Sequence, residues 1–137
     1  MTRIKILLAE DDLDDQSIFL DTLKDRGDVD LLPIVENGED LFNYLDNRDN
    51  SAVLPDAIIL DQNMPKLNGI QTLALLKQNS RLAHIPVMIY STYADENLRQ
   101  RSATLGAAIV MSKPSTYHGY HHLIDKFFTI IHQAEQQ

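Results

Sequence analysis

Charged and hydroxyl side chains stand directly after four short apolar runs of the chain. They are Glu10, Asp11 and Asp12 after residues 3–9, Asp61 after 57–60, Ser91 and Thr92 after 86–90, and Ser112 and Lys113 after 107–111. Turn formation would explain the Pro65 and Gly69 that follow Asp61, because proline and glycine are common turn residues. It does not explain why the strongly apolar run AIIL ends on a carboxylate, so these groups are candidates for chemistry.

The acidic residues favour a site for a divalent cation. Two like charges about 4 Å apart repel by roughly 4 kcal/mol at an effective dielectric constant of about 20, so clustered carboxylates raise one another's pKa values or recruit a cation. Oxygen ligands without histidine or cysteine indicate Mg²⁺. A carboxylate beside Mg²⁺ can attack phosphorus and form an aspartyl phosphate. Asp61 would be that nucleophile, while Lys113 and Ser91 would provide the positive charge and the donor that phosphoryl oxygens need.

Apolar runs alternate with helical patterns along the chain. The predicted strands are 3–9, 29–37, 57–60, 87–90 and 107–111. The predicted helices are 14–27 with Gly27 as the C-cap, 38–47, 68–79, 94–106 ending at Gly106, and 117–134, and a polar loop covers 48–56. Short strands that are apolar throughout are typical of a parallel sheet buried on both faces. Right-handed crossovers then produce a doubly wound α/β domain, which binds ligands beyond the carboxyl ends of its strands.

Composition limits the classes of function. The 137 residues form one domain, 1–137, with 44% apolar residues and a formal charge of −8. Such an acidic chain is not expected to bind nucleic acid, whose phosphates require basic patches. No apolar run approaches the roughly 18 residues of a membrane span, and without cysteine there is neither a disulfide framework nor a thiolate zinc site. We therefore expect a cytoplasmic protein.

Four segments resemble the receiver domain of two-component response regulators, and the resemblance covers nearly the whole chain. They are LLAEDD (7–12), IILDQNMPKLNG (58–69), PVMIYST (86–92) and MSKP (111–114). The thirty residues from Asp61 to Ser91 and the twenty-two from Ser91 to Lys113 also fit the family pattern. The resemblance implies a flavodoxin-like sheet with strand order 2-1-3-4-5 and five helices.

The resemblance also implies a role for each site residue. Asp61 would be the phosphoacceptor. Asp11 would bind Mg²⁺ directly, the Asn63 backbone carbonyl would be a further ligand, and Glu10 would act on the ion through water. Ser91 would donate its hydroxyl to the phosphoryl group, and Lys113 would be the cation that pairs with carboxylate or phosphate. In this family the bond corresponding to Lys113–Pro114 is often cis, and only X–Pro bonds adopt that form cheaply.

The implied function is signalling rather than enzymatic turnover beyond the chain's own phosphorylation and dephosphorylation. A sensor histidine kinase or a histidine phosphotransfer protein would donate the phosphoryl group, and a conformational change would carry the signal to a downstream partner that the sequence does not identify. A homodimer through the face formed by 94–134 is a further expectation. The chain ends one helix after Pro114, which predicts a stand-alone receiver, and the loop 47–56 resembles single-domain regulators that serve bacterial phytochromes.

One position departs from the family pattern. Receivers usually carry an aromatic residue three positions before the lysine, and this ring swings inward on activation, whereas here the position holds Val110. Valine is β-branched and stiff at χ1, so it has no ring to swing. Tyr90 and Tyr93 flank Ser91 and could take part, but packing is the expected role of both.

Two alternatives belong to other classes of function. A dehalogenase-type phosphohydrolase also uses an aspartyl phosphate, but its Asp-x-Asp motif would require an acid where Asn63 stands. A phosphorylation-independent scaffold would lack part of the acidic and lysine set, which this chain has in full. His118, His121 and His122 suggest a metal site, because His118 and His122 lie four residues apart. A zinc site needs three or four ligands and no cysteine is present to complete it, so we predict a solvated start of a helix instead. We expect Asp12 to fix its loop or face solvent.

Overall fold

The computed structural model describes residues 3–46 and 54–135, so most of the predicted loop 48–56 lies outside the described residues. The strands are β1 (Ile4–Ala9), β2 (Val29–Leu31), β3 (Ala57–Asp61), β4 (Val87–Ser91) and β5 (Ile109–Ser112). The helices are α1 (Leu13–Lys24), α2 (Gly38–Asp46), α3 (Gly69–Gln78), α4 (Glu96–Thr104) and α5 (Tyr117–Glu135). All neighbouring strands are parallel and follow the order β2-β1-β3-β4-β5. The predicted doubly wound fold is confirmed.

The central strands are apolar throughout because helices cover both faces of the sheet. Side chains alternate between the two faces with the two-residue period of a strand. Leu7 and Ile58 therefore join the core under α2, α3 and α4, whereas Leu8 and Ile59 join the core under α1 and α5. The α5 stripe supplies much of this second core. Its buried members include the predicted Leu123, Ile124, Phe127, Phe128 and Ile131.

Polar caps start three helices close to the strand ends. The Asp12 carboxylate accepts hydrogen bonds from the backbone amides of Asp14 and Asp15, so it fixes the loop as expected. Asn68 starts α3 with a capping box, and Asp95 caps α4. Gly106 follows α4 with φ +99°, a conformation that favours glycine. These caps set where the loops between strand and helix begin and end.

Three expectations about the backbone are wrong. β2 ends at Leu31 instead of continuing to residue 37, because its pairing with β1 shifts by one residue after that point. Pairing resumes among the described residues as a single bridge between Val35 and Ala9. Gly27 is not the C-cap of α1, since the helix ends at Lys24 with Asp25 as its cap. The Lys113–Pro114 bond is trans, like every other peptide bond in the described residues. Within residues 3–46 and 54–135, no helix has the length and apolar character needed to cross a membrane.

The start of α2 packs closely on the loop that follows Asp61. The Gly38 amide donates to the Leu67 carbonyl at 3.3 Å. A methyl group at Gly38 would lie 2.8 Å from Leu67 Cβ and also meet the Thr72 hydroxyl. Glycine is therefore required here for close approach.

We predict that Gly38→Ala lowers the free energy of unfolding by about 1–3 kcal/mol, the usual cost of overpacking. Gly27→Ala is the matched control, because nothing lies within 4 Å of a methyl group at that position. It should leave stability unchanged or raise it by roughly 0.5 kcal/mol. Urea denaturation followed by circular dichroism measures both, and equal losses in the two variants would contradict the close packing.

Candidate functional site

Four neighbouring strands bring the predicted site residues to one edge of the sheet. Glu10 and Asp11 follow β1, Asp61 ends β3 and Ser91 ends β4. Lys113 follows β5, and its backbone amide donates to the Ser91 carbonyl at 2.9 Å. Because β1, β3, β4 and β5 are adjacent, residues distant in sequence stand side by side at the carboxyl ends of the strands.

The Lys113 ammonium group is the centre of the site. Its Nζ atom lies 2.8 Å from Asp15 Oδ2, 3.1 Å from Glu10 Oε1 and 3.3 Å from Asp61 Oδ2. It also stands over the Tyr90 ring, 5.0 Å from the centroid. Burial by itself would lower the pKa of Lys113, but the three carboxylates outweigh it and raise the pKa above the ordinary value. The lysine is therefore held in its charged form.

Asp61 is a buried carboxylate with few groups that stabilise its charge. Its side chain in the ion pair with Lys113 is only 2% exposed. Burial, followed by the neighbouring Glu10, raises the pKa of Asp61 to about 7. Lys113 opposes this rise, as does the Asn63 amide, which donates to Asp61 Oδ1 at 3.2 Å. Near neutral pH, a bound cation would thus favour the ionised, nucleophilic form.

Glu10 is completely buried, and both of its carboxylate oxygens are engaged. Oε2 accepts from the Asp12 amide at 3.1 Å, while Oε1 accepts from the Tyr90 hydroxyl and contacts Lys113. Burial, followed by the charge of Glu10, raises the pKa of Tyr90, so its hydroxyl remains a donor. These contacts hold Glu10 in place and fit an indirect role toward a metal ion.

The acidic residues can accommodate a hard divalent cation. One carboxylate oxygen from each of Glu10, Asp11 and Asp61 lies within 4.8 Å of the others. Asp11 is exposed, whereas Glu10 and Asp61 are buried. Oxygen ligands of this kind suit Mg²⁺ or Mn²⁺, and the excess of carboxylates over ammonium groups gives a cation an electrostatic reason to bind.

Ser91 and Asn63 occupy the edge of the site. Ser91 is 2% exposed, and its hydroxyl accepts a hydrogen bond from the Tyr93 amide at 3.2 Å. In the part of the chain that the structure describes, this hydroxyl is not bonded to Asp61 or Lys113. Asn63 is exposed and contacts Asp61 through its backbone amide. The structure thus brings Glu10, Asp11, Asp61 and Lys113 together, with Ser91 and Asn63 beside them.

Sequence reasoning missed two contacts. Asp15 was not among the predicted site residues, yet it makes the shortest contact to Lys113. A usable signal was its spacing: Asp15, Phe19 and Thr22 lie at i, i+4 and i+7, which places an acid on the inward stripe of α1. Tyr90 packs edge-on against Phe19 as expected but also donates to Glu10. No spacing rule indicates that second contact.

The three histidines near the start of α5 do not form a metal-type cluster with other described residues. His118 and His122 are exposed, as a solvated helix start predicts. His121 is half-buried, and its backbone carbonyl accepts from Arg26 Nη1 at 3.4 Å.

Comparison with known proteins places the chain in a family. Residues 6–125 match the family model described as the response regulator receiver domain, so the chain belongs to the receiver-domain family of two-component response regulators.

Solved structures and a curated sequence that resemble this chain are consistent with that family. The phosphorylated cyanobacterial phytochrome response regulator RcpA is 26% identical with a TM-score of 0.78, over 98% of this chain and 93% of that chain. The Mn²⁺-bound response regulator Rcp1 is 29% identical with a TM-score of 0.73, over 93% and 89% of the two chains. A protein-glutamate methylesterase/protein-glutamine glutaminase of Clostridium acetobutylicum is 29% identical over 116 residues, which are 83% of this chain. The chain spans only 32% of the length of that relative.

We predict that Asp61→Asn stabilises the metal-free protein more at pH 8 than at pH 5. The pKa of Asp61 rises from 3.8 to about 7 on folding. Ionisation of Asp61 therefore favours the unfolded chain. The contribution of the protonated Asp61 carboxyl to the free energy of unfolding is fully present below about pH 4 and is lost as the pH rises through about 7. The variant lacks this loss, so its advantage should grow by more than about 1 kcal/mol across the interval.

Urea denaturation in the presence of a chelator gives the free energies of unfolding of the wild type and of Asp61→Asn. The comparison is made at pH 5 and at pH 8. The difference between the two free energies cancels the titration of carboxylates that do not interact with Asp61. A difference independent of pH would show that Asp61 does not titrate in this range.

Proposed function

We propose that Asp61 accepts a phosphoryl group from a phosphohistidine and that the chain signals while it carries that group. The observation that supports this most is the position of Asp61, a buried carboxylate at a strand end whose Oδ2 lies 3.3 Å from Lys113. An Asp61 oxygen attacks phosphorus and forms the new O–P bond as the P–N bond to the donor imidazole breaks. The electron pair stays on the imidazole nitrogen. Later, water attacks phosphorus, inorganic phosphate leaves and the carboxylate is restored.

The neighbouring residues support this transfer in different ways. Lys113 places a fixed positive charge beside the oxygens that gain negative charge, the usual source of stabilisation in phosphoryl transfer. Ser91 would give its hydroxyl to a phosphoryl oxygen after releasing the Tyr93 amide. Asp11, Asp61 and the Asn63 carbonyl would hold Mg²⁺, with Glu10 acting through water. When bound, the ion would neutralise part of the negative charge on the phosphoryl oxygens during the transfer.

The donor and the readout follow from the same proposal. A sensor histidine kinase or a histidine phosphotransfer protein would supply the phosphoryl group, and RcpA, a phytochrome response regulator, suggests a phytochrome-type kinase. Because the donor histidine would itself be phosphorylated with ATP, we propose that the transfer to Asp61 takes place in the cytoplasm. The single domain 1–137 would act as a regulator, and the activity named for the methylesterase relative is not carried over. The face formed by 94–134 remains the proposed surface for a partner or a second copy.

Switching would proceed without an aromatic ring at position 110. Val110 is buried, and Arg99 of α4 donates to its carbonyl at 2.9 Å and to the Ala94 carbonyl at 3.2 Å. Arg99 thus connects the loop after β4 with β5. Movement of Ser91 toward a phosphoryl group would shift this loop and, through Arg99, the α4 face. Phosphorylation can drive this because it adds about −1.5 to −2 charges beside Ser91.

We predict that incubation with acetyl phosphate and Mg²⁺ adds one phosphoryl group and that Asp61→Asn abolishes the addition. Asp56→Asn is the control, because its carboxylate is exposed and accepts from the Lys5 amide, away from the site. Intact-mass spectrometry measures both. Phosphorylation of Asp61→Asn at the wild-type rate would contradict the role of Asp61, and sustained turnover of p-nitrophenyl phosphate would favour the phosphohydrolase alternative.

We predict that Asp11→Asn weakens Mg²⁺ binding by at least about tenfold, because a charged ligand is removed from the cation. Asp12→Asn makes the same charge change one residue away and preserves the helix cap, since asparagine caps as well as aspartate. It should change the affinity by less than about threefold. Calorimetric titration distinguishes the two, and equal effects would mean that Asp11 acts only through general charge.

A further inference from the structure

Asp15 makes the shortest contact to the ammonium group that the proposed reaction needs. Asp15 Oδ2 lies 2.8 Å from Lys113 Nζ, compared with 3.1 Å for Glu10 and 3.3 Å for Asp61. An ammonium group has three donors, and each of these carboxylates lies within 4.0 Å of it. Among the described residues, only the contact to Asp15 is a hydrogen bond of this ammonium group. A phosphoryl group on Asp61 that draws Lys113 toward itself therefore competes first with Asp15.

The three carboxylates differ in how readily they release Lys113. Glu10 is fully buried, so losing the lysine would leave a charge in the protein interior. Asp61 itself becomes the acyl phosphate and remains beside the transferred group. The Asp15 side chain is 23% exposed, so water can solvate its carboxylate when the ion pair opens. Asp15 is consequently the partner that can be displaced at the lowest cost.

Asp15 also opposes the incoming group by its charge. It is an anion held at the same ammonium group that a phosphoryl dianion approaches, and like charges repel more strongly in a half-buried site than in water. Loss of the Asp15 charge would thus both release Lys113 and reduce repulsion. The two effects act in the same direction.

Resting on the proposed function, we propose that Asp15 is a positioning residue that restrains Lys113 and competes with the phosphoryl group on Asp61 for the ammonium group. It sets how tightly the site holds a phosphoryl group. The ion pair between Asp15 of α1 and Lys113 after β5 then weakens binding of the phosphoryl group, and it opens when Asp61 is phosphorylated.

The test uses the full chain with saturating Mg²⁺ and beryllofluoride as the phosphoryl mimic, with affinity measured by ¹⁹F NMR titration. Asp15→Asn should lower the Kd by at least about threefold, the scale of a partly exposed ion pair. Asp14→Asn is the matched control, because Asp14 is exposed in the same turn of α1. It should change the Kd by less than about twofold. Asp15→Glu keeps the charge and the reach to Lys113, so it should restore a Kd close to the wild-type value.

Several outcomes decide the inference. The inference is overturned if Asp15→Asn and Asp14→Asn change the Kd for beryllofluoride equally, or if Asp15→Asn binds beryllofluoride more weakly than the wild type. It is also overturned if Asp15→Glu binds beryllofluoride as tightly as Asp15→Asn. Asp15→Ser repeats the test if Asp15→Asn does not fold. If the wild-type protein does not bind beryllofluoride, both the proposed function and this inference are overturned. If the wild type binds and the Asp15 variants do not behave as predicted, only the inference about Asp15 is overturned.

Discussion

One ammonium group holds the site together. Lys113 Nζ contacts carboxylates from α1, from the end of β1 and from the end of β3, and these carboxylates would otherwise repel one another. Its own backbone amide is bonded to the end of β4. Lys113 therefore connects the four elements around Asp61. The pKa of Asp61 nevertheless remains raised to about 7, since burial and Glu10 outweigh the lysine. A bound cation would offset the charge that remains.

The fold supplies this arrangement through the direction of its strands. In a parallel sheet all carboxyl ends meet at one edge, so residues far apart in sequence become neighbours without any long loop. Apolar side chains on both faces keep the central strands rigid. Such a frame holds Asp61 and Lys113 at fixed positions, which is what transfer of a phosphoryl group requires. Under the proposed function, the loop after β4 and α4 would move in the response.

Sequence patterns predicted the strand ends well because apolar runs and their terminal residues are local signals. They predicted Asp61, Glu10, Asp11 and Lys113 as one site, and the distances among these residues agree. They overextended β2 because its pairing with β1 shifts by one residue between Leu31 and Val35, which the sequence pattern does not indicate. The contacts of Asp15 and Tyr90 were missed since each depends on how α1 and β4 pack against the lysine. Tertiary contacts of that kind leave only an indirect trace in the chain.

A crystal structure of the protein with Mg²⁺ and beryllofluoride would test the central claim most directly. The claim predicts beryllium bonded to an Asp61 oxygen, a fluorine within hydrogen-bonding distance of Lys113 Nζ, and the metal ion on Asp11 and Asp61. Beryllofluoride bound at another carboxylate, or on Asp61 with Lys113 turned away from it, would contradict the claim.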